Sequence, residues 1–246
     1  MSSERLIIDD LIVLGNAVPD EISDNRKTVC TAGYSPKYGL IRVYPVPPNA
    51  SMKRWHVVEV PLERNPHDTR DESWKIQGSK AEWDKLKFKV IDHEQLNRQQ
   101  RIDLLNELHR KFGVGCVQDL NDQKLSLGFI KPTEFEYRLE KRKQQEKGIQ
   151  TTLFSKEPFL TVHNYDVQPR MRYRCSGCKS KNPHDQQILE WGVYEWIRKN
   201  PNNMEQVWDN LHIGESGYDT SFLVGNMFLH RSSFMIISIF RHKISA

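Results

Sequence analysis

Apolar and polar residues alternate over short spans in the first half of the chain, and turn residues punctuate them. Residues 27–33 are β-rich and run into a turn at 35–39, after which 40–44 alternate until Pro45, Pro47 and Pro48 stop them. The spans 55–60, closed by Pro61, then 73–76 and 86–90 continue the series, the last with Lys87 and Lys89 on its solvent side. Strands that end in proline cannot run on as central strands, so the chain must turn after each. Over 94–112 the period changes. Leu96, Leu104, Leu105, Leu108 and Phe112 fall on one helical face, Arg98, Arg101, Arg110 and Lys111 on the other, and Gly113 and Gly115 end the helix. Two more strands are expected over 124–130 and 134–139, divided by Lys131 and Pro132.

Residues 140–148 contain no apolar side chain and read as a solvated linker or exposed insertion, which predicts a boundary between units 1–148 and 149–246. The second unit opens with β-rich spans at 158–163 and 171–174. A helix is expected over 184–199, ended by Asn200 and Pro201, then a short helix over 203–211 and a buried strand pair at 221–224 and 234–240. Gly225 and Asn226 suit a tight turn or bulge. The predicted fold class is mainly β with helices (α+β): two small OB-like Greek-key barrels, each with an associated helix, with SH3-like barrels or a split sandwich as alternatives.

Composition narrows the setting. A chain of 246 residues suits two domains, and no apolar run approaches the roughly 20 residues of a membrane helix, so no membrane partner is expected. Asp9 and Asp10 directly follow the first short apolar stretch, unlike a secretory signal. Four cysteines do not make a disulfide scaffold at this size, and a reducing, cytoplasmic location is expected. Lys and Arg number 36 against 32 Asp and Glu, a net charge of +4. Residues 1–25 hold six acids and one base, so the remainder is the basic part, and the stretches 167–181 and 220–246 carry no acid at all. Such clustering suits a polyanion partner, and equally a solvated surface. The N-terminal segment, with Leu6, Ile7, Ile8 and Leu11 among its acids, reads as the first strand of barrel one or as a docking strand.

The sharpest chemical feature is Cys175-Ser-Gly-Cys178, whose spacing lets two thiolates share a tetrahedral Zn²⁺, with Gly177 easing the tight backbone. His184, at the expected helix start, is the candidate third ligand, and His163, Cys30 and Cys116 are candidates for the fourth. A pair of free thiols and a redox pair remain alternatives. Around the first barrel, Arg42, Tyr44, Lys53, Arg54 and Trp55 interleave cations with rings, the pairing that grips a single strand by phosphate and base; the rings equally suit a barrel core. Arg170, Arg172 and Arg174 add a basic ladder in the second unit. The mixed charges over 70–75 suggest an internal ion-pair network. His184, Asp185, Glu190 and Glu195 do not make a nuclease centre, because acids five apart point to different helix faces.

Several segments together resemble a prokaryotic dual OB-fold domain family (DuOB-like), found near nucleic-acid-processing and mobile-element defence genes. They are Cys30-Thr-Ala-Gly-Tyr-Ser with Leu-Ile-Arg-Val-Tyr-Pro after it, Arg70-Asp-Glu-Ser-Trp-Lys-Ile, Ser126-Leu-Gly-Phe-Ile-Lys-Pro, Arg174-Cys-Ser-Gly-Cys with His184, Ile188-Leu-Glu-Trp-Gly-Val-Tyr-Glu, and Phe222-Leu-Val-Gly-Asn. The resemblance implies two OB barrels and nucleic-acid binding, without a catalytic signature. The expected function is therefore non-catalytic binding of single-stranded or structured DNA or RNA, in a mobile-element or phage-defence setting. The alternative is an adaptor that docks a nuclease or NTPase partner.

Overall fold

A computed structural model describes residues 4–22, 26–142 and 159–244, and it is mainly β. The first half supplies β1 (Arg5–Asn16), β2 (Asp20–Ile22), β3 (Arg26–Ser35), β4 (Gly39–Val46), β5 (His56–Arg64) and β6 (Ser73–Ile76). Five of them close into a barrel in the order β1–β3–β4–β6–β5 and back to β1, antiparallel throughout except for the β4–β6 pair. The N-terminal segment is thus the first barrel strand. A register shift between Ile8 and Leu11 lets both, with Val13, face inward onto Ile41, Val43, Val58, Val60 and Trp74.

The span 86–90 does not extend the barrel. It forms part of a short helix α1 (Trp83–Leu86) and the helical turn after it. Leu86 and Val90 are four apart and both buried, while Phe88 between them is 76% exposed. A strand would have put all three on one face, and a helical turn separates them. The strand β7 (Ile91–Gln95) follows, so the long helix α2 covers Arg98–Phe112 rather than 94–112, with Asn97 and Gln100 forming a reciprocal cap.

The second half begins before the expected boundary. It comprises β8 (Gly113–Val114), α3 (Val117–Asp122), β9 (Leu127–Ile130), β10 (Pro132–Lys141), β11 (Val167–Cys175), β12 (His184–Gln187), α4 (Trp191–Lys199), α5 (Gln206–Leu211), β13 (Tyr218–Asn226) and β14 (Phe234–Lys243). Local pattern places residues 124–139 with the first unit, yet β9 pairs with β13 and β10 pairs with β11. Only long-range pairing decides this, because a short strand carries no mark of its partner. The span 162–164 is a helical turn, not a strand; position 158 and residues 143–148 of the charged stretch lie outside the described residues.

The expected helix over 184–199 is also corrected. Residues 184–187 pair with Arg170–Tyr173 as a strand, and the helix starts only at Trp191. These strands fall into two sheets, β10–β11–β12 and β14–β13–β9–β8. Two junctions link them: β9 runs through Lys131 into β10, and Ile188 makes a parallel bridge to Ile236. The circuit β9/β10–β11–β12–β14–β13 therefore repeats the strand order of the first barrel, again with its third and fifth strands parallel.

The two halves share a core. Leu14, Ala32 and Tyr34 of the barrel pack with Phe129, Leu223, Ile237 and Phe240 of the second half, under Leu104, Leu105 and Leu108 of α2. Gly15 allows the closest approach, since a Cβ there would lie 2.7 Å from Ser238 Oγ. In the same layer the His109 ring stands 5.3 Å from Phe129 and its Nε2 is buried without a partner. Burial, assisted by the Lys131 charge, lowers its pKa to about 4. The folded state thus holds a neutral imidazole that the unfolded chain protonates below about 6.5, so its contribution is complete above that value and falls away as pH drops towards 4. His109→Leu should lose about 2–3 kcal/mol less stability than the parent on passing from neutral pH to pH near 4. Urea unfolding at both pH values measures it, and equal losses would sink the assignment.

Candidate metal centre and charged face

Cys116, Cys175, Cys178 and His184 meet at one place, with their ligand atoms all within 4.8 Å of one another. Cys116 is the N-cap of α3, Cys175 ends β11, Cys178 sits in the turn after it and His184 opens β12. His184 Nε2 lies 3.4 Å from Cys116 Sγ and 3.5 Å from Cys178 Sγ. Two backbone amides, of Gln118 and Lys179, point their N–H groups at Cys116 Sγ at 3.5 Å each. Such donors stabilise a thiolate and orient it. The two loops touch through glycine: Gly177 N donates to Gly115 O at 3.0 Å, and a Cβ on Gly177 would meet Gly115 at 3.3 Å. Burial pushes the Cys175 thiol up to about 12, and burial together with the Arg174 charge lowers the His184 pKa.

Three of these residues were legible from spacing. Of the three candidates for the fourth position, the fold selects Cys116. Cys30 lies in the first barrel beside Arg42, and His163 lies beside Asp20. Four donors of this kind can hold a metal ion.

The basic candidates separate into two groups. Arg42 is 4% exposed, donating to Ser126 O at 3.1 Å and lying 3.9 Å from Glu72. Alternation on β4 does turn Arg42 and Tyr44 away from the barrel interior, but the second half covers Arg42, so it cannot reach a phosphate. Arg54 is half-buried and engaged, donating to Glu190 Oε1 at 2.7 Å and to Ile239 O at 2.6 Å, with its guanidinium over the Trp55 and Phe240 rings. Trp55 and Tyr44 are half-buried, and burial raises the Tyr44 hydroxyl to about 12; Lys53 is exposed. These five do not form a platform. Arg70, in the mixed-charge span, is an internal tie as expected, to Asp68 and to Asn226 O.

Arg170, Arg172 and Arg174 do share one outward row on β11, whose inward residues Met171, Tyr173 and Cys175 are core. Each meets a carboxylate: Arg170 meets Asp185 at 2.9 Å, Arg172 meets Glu136 at 3.3 Å and Arg174 meets Glu134 at 3.2 Å. Arg138 on β10 also binds Asp185, at 2.7 Å. The outer face of β10–β11–β12 is therefore a ladder of alternating sign. Glu190 and Glu195, the acids weighed for a nuclease, serve Arg54 and Arg198 respectively.

Two family models match the chain, each described as a domain of unknown function: DUF8758 over residues 8–107 and DUF8757 over residues 115–245. The gap between them falls where the sheets divide, around the end of α2. No curated protein matches the chain.

Proposed function

Because the chain belongs to the DUF8757 family through just over half its length, its role must be read from its own surfaces, and we propose that it is a non-catalytic, zinc-braced nucleic-acid-binding module of two OB-type barrels. The shared strand order of the two circuits supports the barrel reading: five strands in a Greek-key ring, with α4 and α5 lying between the third and fourth strands of the second. OB-folds bind ligand across their second and third strands and the adjoining loops. The observation that carries the function is that these strands are treated oppositely in the two halves. In the first barrel they are β3 and β4, buried under the second half; in the second they are β11 and β12, outward-facing and bearing three arginines.

The zinc reading rests on donor chemistry. Three thiolates and one imidazole suit Zn²⁺. With four protein ligands no position is left for substrate, so the metal would supply structure, tying α3 to the β11–β12 hairpin.

The ladder of opposite charges sets the expected strength. Exposed ion pairs contribute about 0–1 kcal/mol each, so a phosphate can take Arg172 while Glu136 turns to solvent. Repulsion from the acids remains, and it predicts modest affinity with steep salt dependence. In fluorescence anisotropy with short oligonucleotides, Arg172→Ala should weaken binding and reduce the salt slope by about 1. Glu136→Gln should tighten it several-fold. Absence of saturable binding at low salt would reject the function and favour the adaptor.

A further inference from the structure

Beside the metal centre, a cleft of about 420 Å³ opens between α3, β12 and the loop 227–233 that joins β13 to β14. That volume lies within the range of small-ligand sites. Its polar lining holds the Arg170–Asp185 ion pair and the His184 imidazole of the metal centre; the rest is amide and hydroxyl, Gln118, Asn121, Gln187, Ser232 and Ser233 among them. Gln118, Asn121 and both serines are exposed to solvent. Arg170, held by both Asp185 and Glu140, is the least exposed arginine of the row, so the cleft offers a phosphate less than the row does. The cleft offers paired donors and acceptors, the chemistry that reads the edge of an unstacked base.

The adjoining loop adds the flat surface. Phe228 is 44% exposed, with the Arg231 guanidinium 5.1 Å and that of Arg70 5.8 Å from its ring centroid. The loop is braced rather than loose: Asn226 Nδ2 donates to Arg231 O at 2.9 Å, Arg70 Nη1 to Asn226 O at 3.1 Å, and Met227 N to Ser233 O at 3.0 Å. Arg70 and Arg231 share one acid, Asp68, which leaves an excess positive charge beside the ring. A ring flanked by cations is the element on which single-stranded bases stack. Two walls of the cleft, α3 and β12, are positioned by Cys116 and His184 of the metal centre.

We infer that this cleft is a nucleobase pocket: an unpaired base of a single strand enters among Gln118, Asn121 and Gln187 while its neighbour stacks on Phe228. The inference rests on the nucleic-acid reading above and adds base preference to it. The test is anisotropy with fluorescein-labelled single strands, DNA and RNA, as four homopolymers and as an abasic strand of equal length. The parent should separate the homopolymers by about tenfold, equivalent to about 1.4 kcal/mol, and bind the abasic strand as weakly as its poorest homopolymer. Asn121→Ala with Gln118→Ala should flatten that preference, and Phe228→Ala should weaken all strands that carry bases but not the abasic one. All three positions are exposed, and thermal melts confirm that the variants fold. If the parent binds every strand alike and the variants change nothing, the pocket is overturned while binding through the arginine row stands. If the parent binds none of them, both fall.

Discussion

Cys116→Ser is expected to abolish zinc retention and to destabilise the second half of the chain on the order of 5–10 kcal/mol, below the roughly 10–16 kcal/mol that zinc-finger peptides gain from their metal. The difference is physical. A zinc finger has little core of its own, whereas here Ile130, Met171, Tyr173, Phe222 and Ile236 already pack as a buried core that would persist without a metal. The loss should concentrate on α3 and the turn 175–184, because the metal ties them together across a long stretch of sequence. Chelation of the parent should reproduce the effect. The apparent affinity should also fall as pH is lowered, since each thiol must release its proton to bind, and burial makes this hardest for Cys175. Cys30→Ser is the control, because Cys30 lies in the other barrel and its loss should leave zinc content at one equivalent per chain, about the full value expected of a single four-ligand site. Elemental analysis alongside urea unfolding decides the matter. A parent that purifies with no zinc and melts identically with and without chelator would remove the metal from the account.

Arg54→Ala should cost about 3–5 kcal/mol, because it strands Glu190 among groups arranged around a cation. Glu190 accepts from Arg54 through Oε1 and from the Ile239 amide through Oε2 at 2.6 Å, so it closes a bridge between the first barrel and β14. Burial lowers the Arg54 pKa from its ordinary value, with Glu190 opposing the change. Arg54→Lys should recover part of the loss: an ammonium can meet the carboxylate but cannot also reach Ile239 O in the same plane. Removing both partners should cost less than the sum of the single losses, with a coupling of about 1–3 kcal/mol. Denaturant unfolding of the four proteins gives the number. A loss below about 1 kcal/mol for Arg54→Ala would mean that the pair is effectively solvated.

Local pattern decided much of this protein. Alternation along 40–44 and the buried apolar run of 234–240 are enough to make strands, because each delivers side chains to a core whichever core that is. The spacing of Leu104, Leu105 and Leu108 likewise makes α2 a helix with one buried side. The Cys-x2-Cys turn and His184 marked three of the four clustered donors by spacing alone. Partnership was decided elsewhere. Arg42 is turned out of its barrel by the same alternation that would expose it, and only the second half arriving over β4 makes it internal. Residues 86–90 alternate as a strand would, yet the core has room for Leu86 and Val90 and none for Phe88. Cys116, far from Cys175 in sequence, joins the cluster as its fourth donor because β8 and the start of α3 carry it there. Periodicity records which side of a segment avoids water; which other segment does the covering depends on contacts between residues distant along the chain, and those exist only once it has folded.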